Sequence, residues 1–157
     1  MRAEVLDRSQ RKRVEEALRA EFGVEEGLAE ELVVLSSSEG RVRVATPEAL
    51  EVARSLGRFE SVGLYVLKLT KFGAYLSLEG SQLLGDRIRR NVVEVGRDQL
   101  RAWMRGDPIP LESVKGPVEG QFAVVRWGDV YAGSGKVSRD GRIHPQIPKH
   151  RRLLGVE

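Results

Sequence analysis

The sequence predicts an α+β fold in two units, and three observations point there. Short alternating apolar runs of strand length recur along the 157 residues, most of them in pairs around glycine-containing turns. Other segments carry apolar residues at three- and four-residue spacing with capping residues at their ends, the mark of amphipathic helices. One charged joint, "GDRIRR" at residues 85–90, separates a first set of elements from a second that restarts after it.

The first unit opens with a helix from about Ser9 to Phe22. Val14, Ala17, Leu18 and Phe22 form its apolar stripe, Asp7 or Ser9 can cap its start, and Gly23 can close its end. Arg11, Lys12 and Arg13 then fall on its first exposed turn. "LVVLSSSEGRVRVAT" reads as a hairpin around Ser38-Glu39-Gly40, with Val42 and Val44 on a packed face and Arg41 and Arg43 on a wet one. Thr46 before Pro47 starts a second helix, because the hydroxyl caps free amides and proline lacks only an N–H that is unpaired there anyway; Gly57 ends it. "SVGLYVLKLT" and "AYLSLEG" form a second hairpin across "KFG", bringing Tyr65, Phe72 and Tyr75 together with Lys68 and Lys71 beside the turn. A short helical turn around Gln82 to Leu84 precedes the joint.

The second unit begins with the strand "NVVEV" and a helix from about Arg97 to Arg105. Leu100, Trp103 and Met104 form its apolar stripe, while Arg97, Arg101 and Arg105 repeat every four residues on another face. "GDPIP" and "KGPVEG" read as irregular. "QFAVVRW" is a strand that reverses at Gly128-Asp129 into "VYAGSGKV", and a further hairpin runs through Arg139-Asp140-Gly141 into "RIHPQIP". Trp127 ends an apolar strand and is read as core, with stacking on a base as the alternative.

Composition narrows the function classes. A hydrophobic content of 41% is ordinary for a globular core. No apolar run approaches the ~20 residues of a membrane-spanning helix, and "MRAEVLDRSQRKRVEE" lacks the apolar centre of a secretory signal, so a cytoplasmic protein with no membrane partner is expected. With no cysteine there is no disulfide, thiol nucleophile or thiolate metal site. Net charge is +3, but residues 1–86 carry 12 Lys and Arg against 15 Asp and Glu, whereas residues 87–157 carry 14 against 8. That asymmetry points to an anionic partner for the C-terminal part, with nucleic acid the commonest candidate and a well-solvated surface the plain alternative. Arginine in excess of lysine, with Asn91 the lone asparagine, suits a heat-adapted organism.

The motifs that suggest catalysis fail. "GSGKVS" lacks the first glycine of a phosphate loop, since Val130 stands there, and has Val137 where Ser or Thr follows the lysine. A dinucleotide fingerprint starting at Gly133 would need glycine at Ser138 and a helix after it. Its glycines serve strand bending and close backbone approach, and they also offer a flat patch on which an RNA backbone could lie. His144, His150 and Asp140 lack metal-ligand spacing. The acids, such as Glu15, Glu16, Glu30 and Glu31, read as surface helix residues, so neither an active site nor a cofactor is nominated.

What remains is a basic C-terminal region with scattered aromatics. Residues 93–153, through the helix with Arg105-Gly106 and Ile109-Pro110, the "FAVVRWGDVYAGSGKV" hairpin and the closing Pro148-Lys149-His150-Arg151-Arg152, resemble a PUA or PUA-like RNA-binding domain. The likeness is to the version at the C-terminus of 5-methylcytosine RNA methyltransferases of the Nol/Nop/Sun type. "YVLKLTKFGAYLSLEGSQLLG", residues 65–85, resembles the pre-PUA domain of the Nip family of ribosome-biogenesis factors. The resemblance implies an archaeal protein with an N-terminal α/β pre-PUA domain over 1–88 and a PUA-type β-barrel with a packed helix over 89–157. The methyltransferase cousins carry a catalytic cysteine and a cofactor-binding domain, and this chain has neither.

By position in such domains, the resemblance nominates Arg97, Arg101 and Arg105 from the helix and Lys136, Lys149, Arg151 and Arg152 from the strands and tail as RNA contacts. Arg126 joins them from the basic surface read directly. The expectation is a non-enzymatic protein that binds rRNA or tRNA in ribosome biogenesis or RNA modification, alongside ribosome-assembly or RNA-modification proteins. A protein–protein adaptor, docking an RNA methyltransferase or assembly factor through the N-terminal domain, is the alternative.

Overall fold

The computed structural model describes residues 3–57, 62–71 and 73–153. Phe72 of the expected second hairpin and Ser61, the expected start of its first strand, lie outside the described residues.

In the first unit α1 (Arg8–Phe22) is capped by Asp7 rather than Ser9. The Asp7 carboxylate accepts from the Gln10 N–H at 2.8 Å while the Gln10 side chain accepts from the Asp7 N–H at 2.9 Å, a reciprocal capping box. β2 (Val33–Ser36) and β3 (Arg41–Ala45) make the first hairpin, and α2 (Pro47–Leu56) starts under Thr46, whose hydroxyl accepts from Ala49 N–H. β4 (Leu64–Thr70) and β5 (Gly73–Leu76) make the second hairpin. A two-residue strand, β1 (Glu4–Val5), pairs with β2; it is too short to show an alternation in sequence. The sheet runs β1-β2-β3-β4-β5, antiparallel throughout.

Two expectations here need correction. The turn around Gln82 is a helix of seven residues, α3 (Leu78–Leu84), because Ser77 leaves the strand and its hydroxyl accepts from Gly80 N–H at 2.9 Å. Arg11 is not part of an exposed cluster: its guanidinium donates to the carbonyls of Leu28, Ala29 and Leu32, fastening the loop after α1, while Lys12 and Arg13 remain exposed. Glu15 supports the same loop by accepting from Leu28 N–H, and Glu30 and Glu31 lie in a turn of it.

The second unit comprises β6 (Val92–Glu94), α4 (Arg97–Met104), β7 (Ile109–Pro110), β8 (Phe122–Trp127), β9 (Val130–Val137) and β10 (Arg142–Pro145). Its strand order is β6-β8-β9-β10-β7, with β6 and β8 parallel and the rest antiparallel. The segment "GDPIP", expected to be irregular, supplies the edge strand β7, where proline's missing N–H interrupts no ladder. The sheet curls as a half-barrel rather than closing; an isolated bridge between Glu94 and Lys115 ties the segment after β7 back to β6.

The two units share their largest core. Val14, Leu18 and Phe22 of α1 cover Val42, Leu67 and Leu76 of the first sheet, and the same cluster continues into Phe122, Val124 and Tyr131 of the second. Because side chains alternate along β8, Ala123 and Val125 point the other way, into a second cluster around Trp103. The joint is fastened as well: Arg89 and Arg90 N–H donate to Phe22 O, and the Asn91 side chain donates to Glu21 O while accepting from Glu119 N–H. The buried hydroxyl of Ser134 in β9 accepts from Leu76 N–H and donates to Leu76 O, both at 2.8 Å, so β5 ends against the middle of the second sheet.

The glycines of "GSGKVS" act as close-approach residues. Gly133 lies under the start of α3, with its N–H donating to Ser81 Oγ, and a Cβ on Gly135 would stand 2.4 Å from the Trp103 ring. Both are buried, so they offer no open patch to RNA.

Candidate nucleic-acid interface

α4 turns its apolar stripe inward and thereby decides where its arginines go. Trp103 is fully buried and its indole N–H donates to Ala132 O at 2.8 Å, with Leu100 and Met104 packed beside it. Arg97, Arg101 and Arg105 are left exposed along one edge, about 12 Å from first to last at 1.5 Å per residue. Arg105 approaches Asp107 at 3.7 Å, an exposed pair that holds it weakly.

The tail meets the end of this helix. After β10 the chain buries Ile147, makes a tight turn over Lys149–Arg151, and returns so that Leu153 N–H donates to Met104 O at 2.7 Å. The Arg152 side chain lies across Gly106, close enough that a Cβ there would touch it, and its Nε donates to Ile147 O. Arg152 therefore continues the α4 arginine edge, and Lys149, whose carbonyl accepts from Arg152 N–H, is exposed in the same turn.

The remaining nominated residues go elsewhere. Arg151 turns toward the first unit and pairs with Glu79 in the first turn of α3. Arg126 is held by Glu94, with Nε at 2.8 Å and a second guanidinium nitrogen at 2.7 Å from the same oxygen, and it lies over the Tyr131 ring. The Tyr131 hydroxyl and Glu94 together push its pKa up, so this arginine is engaged within the fold. Lys136 follows Gly135, which faces Trp103, and so points to the opposite side of the sheet, away from α4. There it belongs to a cross-strand row, Phe122–Lys136–His144, facing the first unit.

A cleft of about 600 Å³ lies between the first sheet and the tail. Arg41, Arg43, Tyr65 and Tyr75 line one wall; Gln146, His150, Arg151 and Arg152 line the other. A bulge between β3 and β4 builds the first wall: Val42 pairs with Leu67 but Arg43 with Tyr65, so Val66 is extra and Tyr65 comes onto the same face as Arg41, Arg43, Lys68 and Tyr75. The Arg41 guanidinium sits 5.8 Å from the centre of the Tyr65 ring. Burial pushes the Tyr65 phenol up, the neighbouring Tyr75 hydroxyl adds to this and Arg41 opposes it, so Tyr65 is a neutral hydrogen-bonding group at physiological pH. Arg43 donates to Gly63 O, and its buried Nε has no acceptor among the described residues.

Arg41 and Arg43 were readable as the wet face of a hairpin, but the bulge that sets Tyr65 beside them has no sequence signal. Trp127 is a correction: it is 40% exposed at the end of β8, beside the exposed Val130, and Trp103 fills the core instead. The histidines do not converge, since His144 pairs with Asp140 at 3.0 Å and lowers that carboxyl's pKa, whereas His150 lines the cleft.

Residues 90–153, under half of the chain, match the family model for the methyltransferase RsmF PUA domain. A crystal structure of a PUA domain from Aeropyrum pernix K1, in complex with tartrate, is similar across 96% of this chain and 84% of its own, with a TM-score of 0.54 and 19% sequence identity. No curated protein sequence matches the chain. The second unit is thus a PUA-type domain, and its fold in company with the first unit is shared with the Aeropyrum structure.

Proposed function

We propose that this chain is a non-catalytic RNA-binding protein whose main contact surface is the arginine edge of α4 continued by Arg152 and Lys149. The observation that carries the reading is the junction at Gly106, where Arg152 extends the arginine edge within the stretch that matches a PUA model. Guanidinium forks suit phosphate oxygens, and five exposed or half-exposed cations on one continuous edge suit a backbone rather than a small anion. A place in rRNA maturation or RNA modification, with the first unit serving as a pre-PUA-type companion domain, agrees with the resemblance of residues 65–85 to ribosome-biogenesis factors.

Anisotropy titrations of labelled rRNA and tRNA fragments with the full chain test this. Binding that weakens steeply as salt rises supports it. Absence of binding to any of these RNAs at low salt, together with RNase-resistant recovery of a protein partner, would replace it with the adaptor reading.

A further inference from the structure

We propose that the cleft between the first sheet and the tail receives a single unpaired nucleotide of the bound RNA, its base against the Arg41–Tyr65 pair and its phosphate on Arg43. The inference rests on the RNA-binding reading and adds a second, chemically different contact to it.

The cleft adjoins the arginine edge directly, because Arg152 both lies on Gly106 at the end of α4 and lines the cleft wall. A strand following that edge is led to the cleft mouth. At about 600 Å³ the space lies within the range of ligand clefts, ~300–1,000 Å³, and is too confined for a duplex. Its contents match a nucleotide part by part. A guanidinium plane over an aromatic ring is a surface on which bases stack. The hydroxyls of Tyr65 and Tyr75 line the same wall and offer both a donor and an acceptor to a base edge. Arg43 lines the cleft with a charged guanidinium, of which one terminal nitrogen donates to Gly63 O. Glu79 on the cleft wall is paired with Arg151, which leaves Arg43 to meet the phosphate.

An acidic peptide would use the guanidiniums but would leave the two tyrosines without a role, which favours RNA.

The test compares two RNA hairpins, identical except that one carries a single unpaired nucleotide, titrated into the full chain by anisotropy. The wild type is expected to bind the bulged hairpin about tenfold more tightly, in line with the gain from one stacked base. Tyr65→Leu should lose that preference while binding the fully paired hairpin as the wild type does. Tyr65→Phe, which keeps the ring and fold, should retain most of it. Equal binding of both hairpins by the wild type would overturn the inference and leave the α4 surface standing. Failure to bind either would overturn both. Displacement of the bulged hairpin by a polyglutamate peptide at lower concentration than by single-stranded RNA would reassign the cleft to an acidic protein segment.

Discussion

Replacing Arg97 and Arg101 together by alanine should flatten the salt dependence of RNA binding by a calculable amount. Five cations form the proposed edge: Arg97, Arg101, Arg105, Lys149 and Arg152, with Arg126 and Arg151 engaged by Glu94 and Glu79. At about −0.7 per phosphate neutralised on single strands, those five give a log–log slope of about −3.5. Affinity should then fall about 130-fold when salt rises from about 50 to 200 mM. The double variant should have a slope shallower by about 1.4, and its fall over the same range should be roughly 20-fold. Any additional phosphates held in the cleft would steepen both curves equally, so the difference between them is the robust quantity. Both side chains are exposed on α4, so folding stability should change by no more than about 0.5 kcal/mol, and a thermal melt checks that the comparison is between folded proteins. An unchanged slope in a folded double variant would refute the assignment of RNA to the α4 edge.

Other consequences of the structure can be measured independently. Arg126→Met should leave the salt slope of RNA binding unchanged, because Glu94 already holds that charge; it should lower stability by about 0.2–1 kcal/mol, read from chemical denaturation. Gly135→Ala places a methyl group 2.4 Å from the Trp103 ring and 2.5 Å from His144 O, and overpacking of that kind costs about 1–3 kcal/mol. The melting temperature should then fall by roughly 3–10 °C in a calorimetric scan. Arg89 hydrogen-bonds the Glu26 carboxylate and holds its pKa at about 2 instead of the ordinary 4.5. A depressed carboxyl pKa stabilises the fold above the unfolded value and loses that contribution as pH falls through the folded one. Wild type should therefore be more stable than Glu26→Gln at neutral pH, and the two melting temperatures should converge as pH drops from 4.5 toward 2.

The legible parts of this protein were those written over a few adjacent residues. The capping box at Asp7 and Gln10, the Thr46-Pro47 start of α2 and the Gly23 and Gly57 ends are interactions between near neighbours, and they fall where the pattern predicts. Short pieces without room for a period, β1 and β7, were not legible, and Ser77 hid the start of α3 inside an alternating stretch. Among the candidate contacts, spacing alone was enough to set Arg97, Arg101 and Arg105 together, because helix geometry fixes it. Spacing could not say that Arg126 is taken by Glu94, that Lys136 faces away from α4, or that a bulge at Val66 brings Tyr65 onto the face of Arg41 and Arg43.

By itself, then, the sequence determined the α+β class, nearly every helix and hairpin, and a basic C-terminal unit without thiol chemistry, since these follow from composition, periodicity and local hydrogen bonds. The tertiary structure alone decided which cations remain available and what they border. Arg151 meets Glu79, and the Ser134 hydroxyl meets Leu76 across 58 residues, through packing between the two sheets. Contacts of that range depend on how shared apolar faces bring distant segments together, and no local pattern encodes their partners.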